Sequence, residues 1–447
     1  MVDEKESSQL SDNFLFPKIF RAFRMAIQPS KLIIGLLAVA AIFLAGWIMD
    51  LNKTVVTTPD TQGQETELQV YMTAPDRLQP YIDNARDDSK RVGVFATLWR
   101  FGVTRCHGAL YSLFRLRERE AVGNIADYLR AVIWAFRYHP LYCIIFAVIK
   151  LAVLSIAGGA ICRIAALQFA QDERPGMNEA LRFSTRKFRS FFSAPLAPIG
   201  IIIFIGLFIF VLGLLGNIQW VGELLIGIFM PLTLIAGALI AVVSIGAVAG
   251  FNLMFPAIAY DDSDCFDATS RAFSYIYARP WRMGFYTVVA AIYGTVCYMF
   301  VRFFAFLVLW LSHRPLQLGI LGDNSKLAAI WPEPTLTNLL TIPDFTAGSW
   351  TQSVAAFLVY IFVLAVVALV ASFVISFYFS ANTIIYALMR NRVDNTALDD
   401  VHTYPDESEA ERTAPEPESE ASQPQPEPKK KPDSDRKDKP DSPPSTQ

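Results

Sequence analysis

Charge is scarce in this chain. Asp, Glu, Lys and Arg make up 18% of its 447 residues, against about 25% in ordinary soluble domains. That scarcity excludes a wholly disordered chain, and a net charge of −2 excludes a basic nucleic-acid binder. Cysteine is scarce as well. Cys106, Cys143, Cys162, Cys265 and Cys297 are scattered and form no C-x-x-C pair, which argues against a disulfide framework. His107, His139, His313 and His402 lie far apart, with no H-E-x-x-H and no zinc-finger spacing. A P-loop, a G-x-S-x-G elbow and paired catalytic carboxylates are also absent from the sequence. No metal, no cofactor and no ATP-driven step is expected.

What is abundant is apolar sequence, 53% of the chain. A spanning helix needs about 20 mainly apolar residues. Six segments qualify: 32–50, 141–162, 196–216, 230–256, 284–311, and 353–380 extended to about 389. The fourth apolar stretch begins earlier, at Val221. One helix over 221–256 would be roughly 54 Å long, so a break is expected near Pro231, with 219–229 an interfacial or re-entrant piece. The fold class is therefore all-α, a polytopic bundle of about six transmembrane helices with interfacial amphipathic helices. Residues 1–31 form a cytoplasmic segment, 51–140 an outer region with a polar linker over 51–90, 141–390 the main bundle, and 391–447 a disordered cytoplasmic tail.

The positive-inside rule orients the bundle. Arg163, Arg174, Arg182, Arg186, Lys187 and Arg189 crowd one loop, Arg271, Arg279 and Arg282 another, and Arg390 and Arg392 follow the last span. Both ends then lie in the cytoplasm, and the first span is an uncleaved anchor. Residues 92–114 are rejected as a span. Arg100, Arg105 and His107 sit near their centre, and each Arg there costs roughly 2.5–3.5 kcal/mol.

Several spans share an approach: an amphipathic helix runs up to a proline. The copies end at Pro29, Pro140 and Pro280, with a looser one at Pro195. Aromatic residues suit the headgroup level and arginines face phosphates. Arg182, Arg186, Arg189, Arg279, Trp281 and Arg282 are thus candidate lipid-headgroup contacts.

Lys150 and Arg302 fall inside spans at a similar expected depth, and Glu223 is the only nearby acid. Two intramembrane cations point to an anionic ligand or a lipid, so Lys150, Arg302 and Glu223 form the candidate ligand site. Asp261-Asp262-Ser263-Asp264-Cys265-Phe266-Asp267 lacks the glycine and closing Glu of a calcium loop. It is read as a helix start capped by Ser263 or Asp264, with Asp267 in the first turn. Ser372, Ser376 and Ser380, spaced by four, read as glue between helices, and Gly246 and Gly250 as a close helix approach.

The segments PAIAYDDSDCFDATSRAFSYIYARPWR (256–282) and SFYFSANTIIYALMRNRVDNTALDDV (376–401) resemble a family of multi-pass membrane proteins from planctomycete-type bacteria. The resemblance implies a bacterial cytoplasmic (inner) membrane and a shared helical bundle, and carries no catalytic residue across. The expected function is a non-enzymatic integral membrane protein that organises or binds something at the bilayer. Its partners would be membrane lipid or other membrane-protein subunits, with no nucleic acid. A transporter or channel for an anionic or small solute is one alternative, a membrane-embedded lipid-modifying enzyme the other.

Overall fold

The computed structural model describes residues 15–60, 63–83, 90–115, 117–319, 325–336, 338–340 and 349–403. Most of the tail, from 404 onward, lies outside the described residues. A 3₁₀ turn (Phe16–Phe20) leads into α1 (Arg21–Ala26) and α2 (Pro29–Met49). Three short strands follow, β1 (Val55–Asp60), β2 (Gly63–Thr66) and β3 (Lys90–Val92), with α3 (Glu67–Thr73) and α4 (Leu78–Asp83) between the last two. A helical hairpin, α5 (Val94–Phe114) and α6 (Glu118–Tyr138), precedes α7 (Pro140–Ala170). Then come α8 (Met177–Arg186), α9 (Phe188–Ser193), α10 (Ala197–Leu215), α11 (Val221–Asp261), α12 (Cys265–Ala278), α13 (Pro280–Gly319), α14 (Ser325–Ile330) and α15 (Trp350–Val393).

Among the described residues six helices, α2, α7, α10, α11, α13 and α15, are long and apolar enough to cross a membrane. The molecule is an all-α bundle, and the expected apolar segments all fall on these helices. α5 is not among them, in keeping with the arginines on it. One boundary differs from the sequence reading. α11 runs unbroken through Pro231 and Pro256. In an apolar surrounding no water competes for the helix backbone, so a proline costs one hydrogen bond without ending the helix.

Three of the prolines do what the repeated approach predicts. Pro29, Pro140 and Pro280 each occupy the first helical position of α2, α7 and α13, where a missing N–H costs nothing. The residues before them, Gln28, His139 and Arg279, have left the helical region, with ψ of 129°, 52° and 64°. Pro195 instead falls in the turn between α9 and α10.

The expected polar linker, 51–90, carries regular structure over much of its described part. β1 pairs antiparallel with β2 and with β3, giving the order β2-β1-β3. Val55, Leu68, Leu78 and Val94 pack with Trp134 and Ala131 of α6 in a small core of their own. One carboxylate ties this layer to the bundle. Asp50, just past α2, accepts the N–H groups of Phe95 (2.9 Å) and Ala96 (2.8 Å) at the start of α5, and the Tyr142 hydroxyl of α7 at 3.0 Å. An acid at a helix N-terminus meets both the free N–H groups and the dipole.

The largest core lies at the other end of α2. It joins α1, the ends of α7, α11 and α15, and the helices α8, α9 and α12. Gly246 and Gly250 let α12 approach α11: a Cβ on Gly250 would stand 2.9 Å from Ile276. The close approach read from sequence is therefore to an amphipathic helix. On α10 and α11, Ile203, Phe204, Phe210, Leu234, Ile235 and Val248 remain exposed, as side chains facing lipid would be.

Candidate functional site

Lys31, one of the basic residues just before the first apolar run, is buried inside the bundle. Pro29 starts α2, so Lys31 sits in its first turn and points between helices rather than out of them. Its side chain is fully buried. The ammonium donates to Gln168 Oε1 of α7 at 2.9 Å and to Ser380 Oγ of α15 at 3.5 Å. Among the described residues no carboxylate pairs with it. A buried amine held only by neutral acceptors is costly and is a functional-site candidate by default in a membrane helix.

The serine column on α15 explains how the amine is reached. Ser376 donates to Ala26 O at 2.8 Å and Ser372 to Leu32 O at 2.5 Å. Ala26 is the last residue of α1, beside the break at Pro29, so its carbonyl needs a donor from elsewhere. Close approach makes these bonds possible. A Cβ on Gly35 would stand 2.7 Å from Ser372 Oγ and 3.0 Å from its carbonyl. The hydroxyls act as glue, as expected, and bring Ser380 to Lys31.

Beside this cluster a cavity of about 40 Å³ is lined by Arg21, Arg24, Met25, Gln168, Phe169 and Asp172. Gln168 is the shared wall between the cavity and Lys31. Two exposed guanidiniums against the single acid Asp172 make the cavity lining net positive. It suits one anionic oxygen group.

No family model, curated protein or solved structure matches this chain.

The sequence-derived trio is not brought together. Arg302 is buried and already engaged: its Nε and Nη2 donate to Leu336 O, both at 3.0 Å, and its Nη1 lies 2.9 Å from both His107 Nε2 and the Tyr298 hydroxyl. Lys150 and Glu223 are exposed side chains on α7 and α11, and no hydrogen bond or ion pair joins either to Arg302. The described carbonyl and imidazole supply the partners that the spans lack as acids. Beside Arg302, burial first and the guanidinium second push the His107 imidazole down to about 4, so it stays neutral and accepts.

The candidate headgroup contacts lie at the surface. Arg182, Arg186, Arg189 and Arg279 are exposed, Arg282 is half-buried, and Trp281 is 90% exposed.

The acidic run 261–267 is a joint. Asp264 caps α12, accepting Asp267 N–H at 2.8 Å. Asp261 accepts from Arg271 Nη1 at 3.2 Å and from the Tyr386 hydroxyl, and stands 3.1 Å from Arg390 Nε as an ion pair. Arg390 reaches on to Asp400 O at 2.6 Å and lies over the Tyr260 ring. Tyr275 donates to Asp394 at 2.5 Å; burial first, then that carboxylate, raises its hydroxyl above the usual tyrosine range. Asp261, Arg271, Arg390 and Asp394 are all partnered across elements, so the cluster holds α11, α12, α15 and the segment 394–402 together.

Proposed function

We propose that this protein is a multi-pass component of a bacterial cytoplasmic membrane that binds anionic phospholipid and organises the bilayer or its partners without catalysis. The Lys31 end of the bundle is assigned to the cytoplasm, because the arginine-rich connections after α7, α11 and α15 all gather there. The observation that carries the reading is the pair of exposed guanidiniums, Arg21 and Arg24, on a cavity whose Gln168 wall is held from behind by the buried Lys31 amine. A phospholipid phosphate would meet the two guanidiniums. Around it, Trp281 and the arginines of α8 suit the headgroup layer.

The serine column gives the transporter reading no support, since Ser372, Ser376 and Ser380 are fully buried and bonded. The capping and ion-pairing roles of 261–267 leave no free acid there for lipid chemistry.

The test is lipid retention. The full chain is reconstituted in phosphatidylcholine vesicles containing a minority of phosphatidylglycerol, re-extracted, and its bound lipid measured by mass spectrometry. Each basic group near the surface contributes roughly 1 kcal/mol, so removing Arg21 and Arg24 as glutamines lowers phosphatidylglycerol enrichment by about tenfold or more. Retention of both lipids in the vesicle ratio, or unchanged enrichment in the double variant, overturns the reading.

A further inference from the structure

A second and larger cavity, of about 290 Å³, lies at the Asp50 end, in the layer built by the small sheet. Its wall includes Thr54, Val56, Glu67, Ile82, Arg91 and His139. Three facts give it chemistry. Glu67 is buried and already engaged: Oε1 accepts the Val56 N–H at 2.7 Å, and Oε2 faces His139 Nε2 at 3.3 Å. The Thr54 hydroxyl is buried with no hydrogen-bond partner. Arg91 lines the same space with an exposed guanidinium, and no ion pair engages it among the described residues.

The unmet donors decide what fits. Both oxygens of Glu67 are engaged, by the Val56 N–H and by His139, so the acid offers little to a cationic guest. Arg91 is an exposed cation with no ion pair among the described residues, and Thr54 is an unused donor that costs free energy while it stays buried and empty-handed. Val56 and Ile82 supply apolar wall, which favours an organic anion over a bare inorganic one. The volume is at the small end of ligand cavities.

We propose that this cavity binds a small organic carboxylate. Its carboxylate meets the Arg91 fork and the Thr54 hydroxyl, its carbon body lies against Val56 and Ile82, and its far end faces His139. His139 is the single residue between α6 and α7, directly before Pro140, so an occupant touches the joint from which a spanning helix departs. This site is remote from Lys31 along α2 and stands whether or not lipid binds there.

The experiment uses the purified full chain in detergent and isothermal titration with acetate, succinate and benzoate, with inorganic phosphate as a separate arm. At least one carboxylate is expected to bind saturably. Arg91→Gln, on an exposed side chain, is expected to weaken it by about tenfold or more, the loss of one charge-assisted hydrogen bond, with thermal unfolding of the ligand-free protein unchanged. Ile82→Trp, which fills the wall, is expected to abolish binding. No saturable binding by any of the three carboxylates overturns the proposal, as does binding of phosphate alone. Undiminished affinity in Arg91→Gln overturns it too.

Discussion

Asp261→Asn keeps the shape of a side chain and removes its charge from the joint between α11, α12 and α15. The carboxylate serves Arg271, Arg390 and the Tyr386 hydroxyl together. Arg271 is 37% exposed, so water screens its share to a small fraction of a typical pair. Arg390 is 10% exposed and Asp261 7%, and breaking a buried pair from one side costs about 3–5 kcal/mol. Arg390 keeps Asp400 and the Tyr260 ring, which places the expected loss near the lower limit, about 3 kcal/mol. Unfolding by sodium dodecyl sulfate in mixed micelles, followed by tryptophan fluorescence, measures it. The double variant Asp261→Leu/Arg390→Met removes both charges and is expected to be closer to wild type than Asp261→Asn. A loss below about 1 kcal/mol in Asp261→Asn, or a double variant less stable than the single, would refute a charge-paired joint.

Two further outcomes separate packing from charge. Gly35→Ala places a Cβ against Ser372 and its carbonyl, so it is expected to destabilise by about 1–3 kcal/mol although alanine is the better helix former. Gly227→Ala, with open space around it, is expected to be neutral or stabilising, and equal effects in the same detergent titration refute the close approach. His107 titrates lower in the fold, about 4 against 6.5 when free. Its contribution is therefore fully present above pH 6.5 and is lost as pH falls from there through about 4. Melting curves of wild type and His107→Gln should converge over that acid window, and a constant gap between them contradicts the neutral imidazole beside Arg302.

The spanning helices were legible because length and apolar content alone define them, and the proline junctions because proline has few places to go. The helix start at 263–267 was legible with Ser263 or Asp264 as its cap, and Asp264 is the one that accepts the Asp267 N–H. Lys31 did not. It stands among the basic residues that flank a first span, and its partners Gln168 and Ser380 are 137 and 349 residues away. No local pattern reports such a distance. Arg302 was noticed, but the carbonyl and imidazole that satisfy it are not acids, and a search for charge overlooks them. The small sheet escaped because VVTTPD, GQET and KRV are short and weakly alternating, and their burial depends on Trp134 from a later helix.

The bonds from Ser372 and Ser376 to the first helices span 340 and 350 residues of chain. During synthesis the opening helix enters the translocon long before its partner exists. Until α15 leaves the ribosome, the Ala26 carbonyl lacks its Ser376 donor and the Lys31 amine has only Gln168 of α7. Insertion of α2 and its locking against α15 are thus separate events.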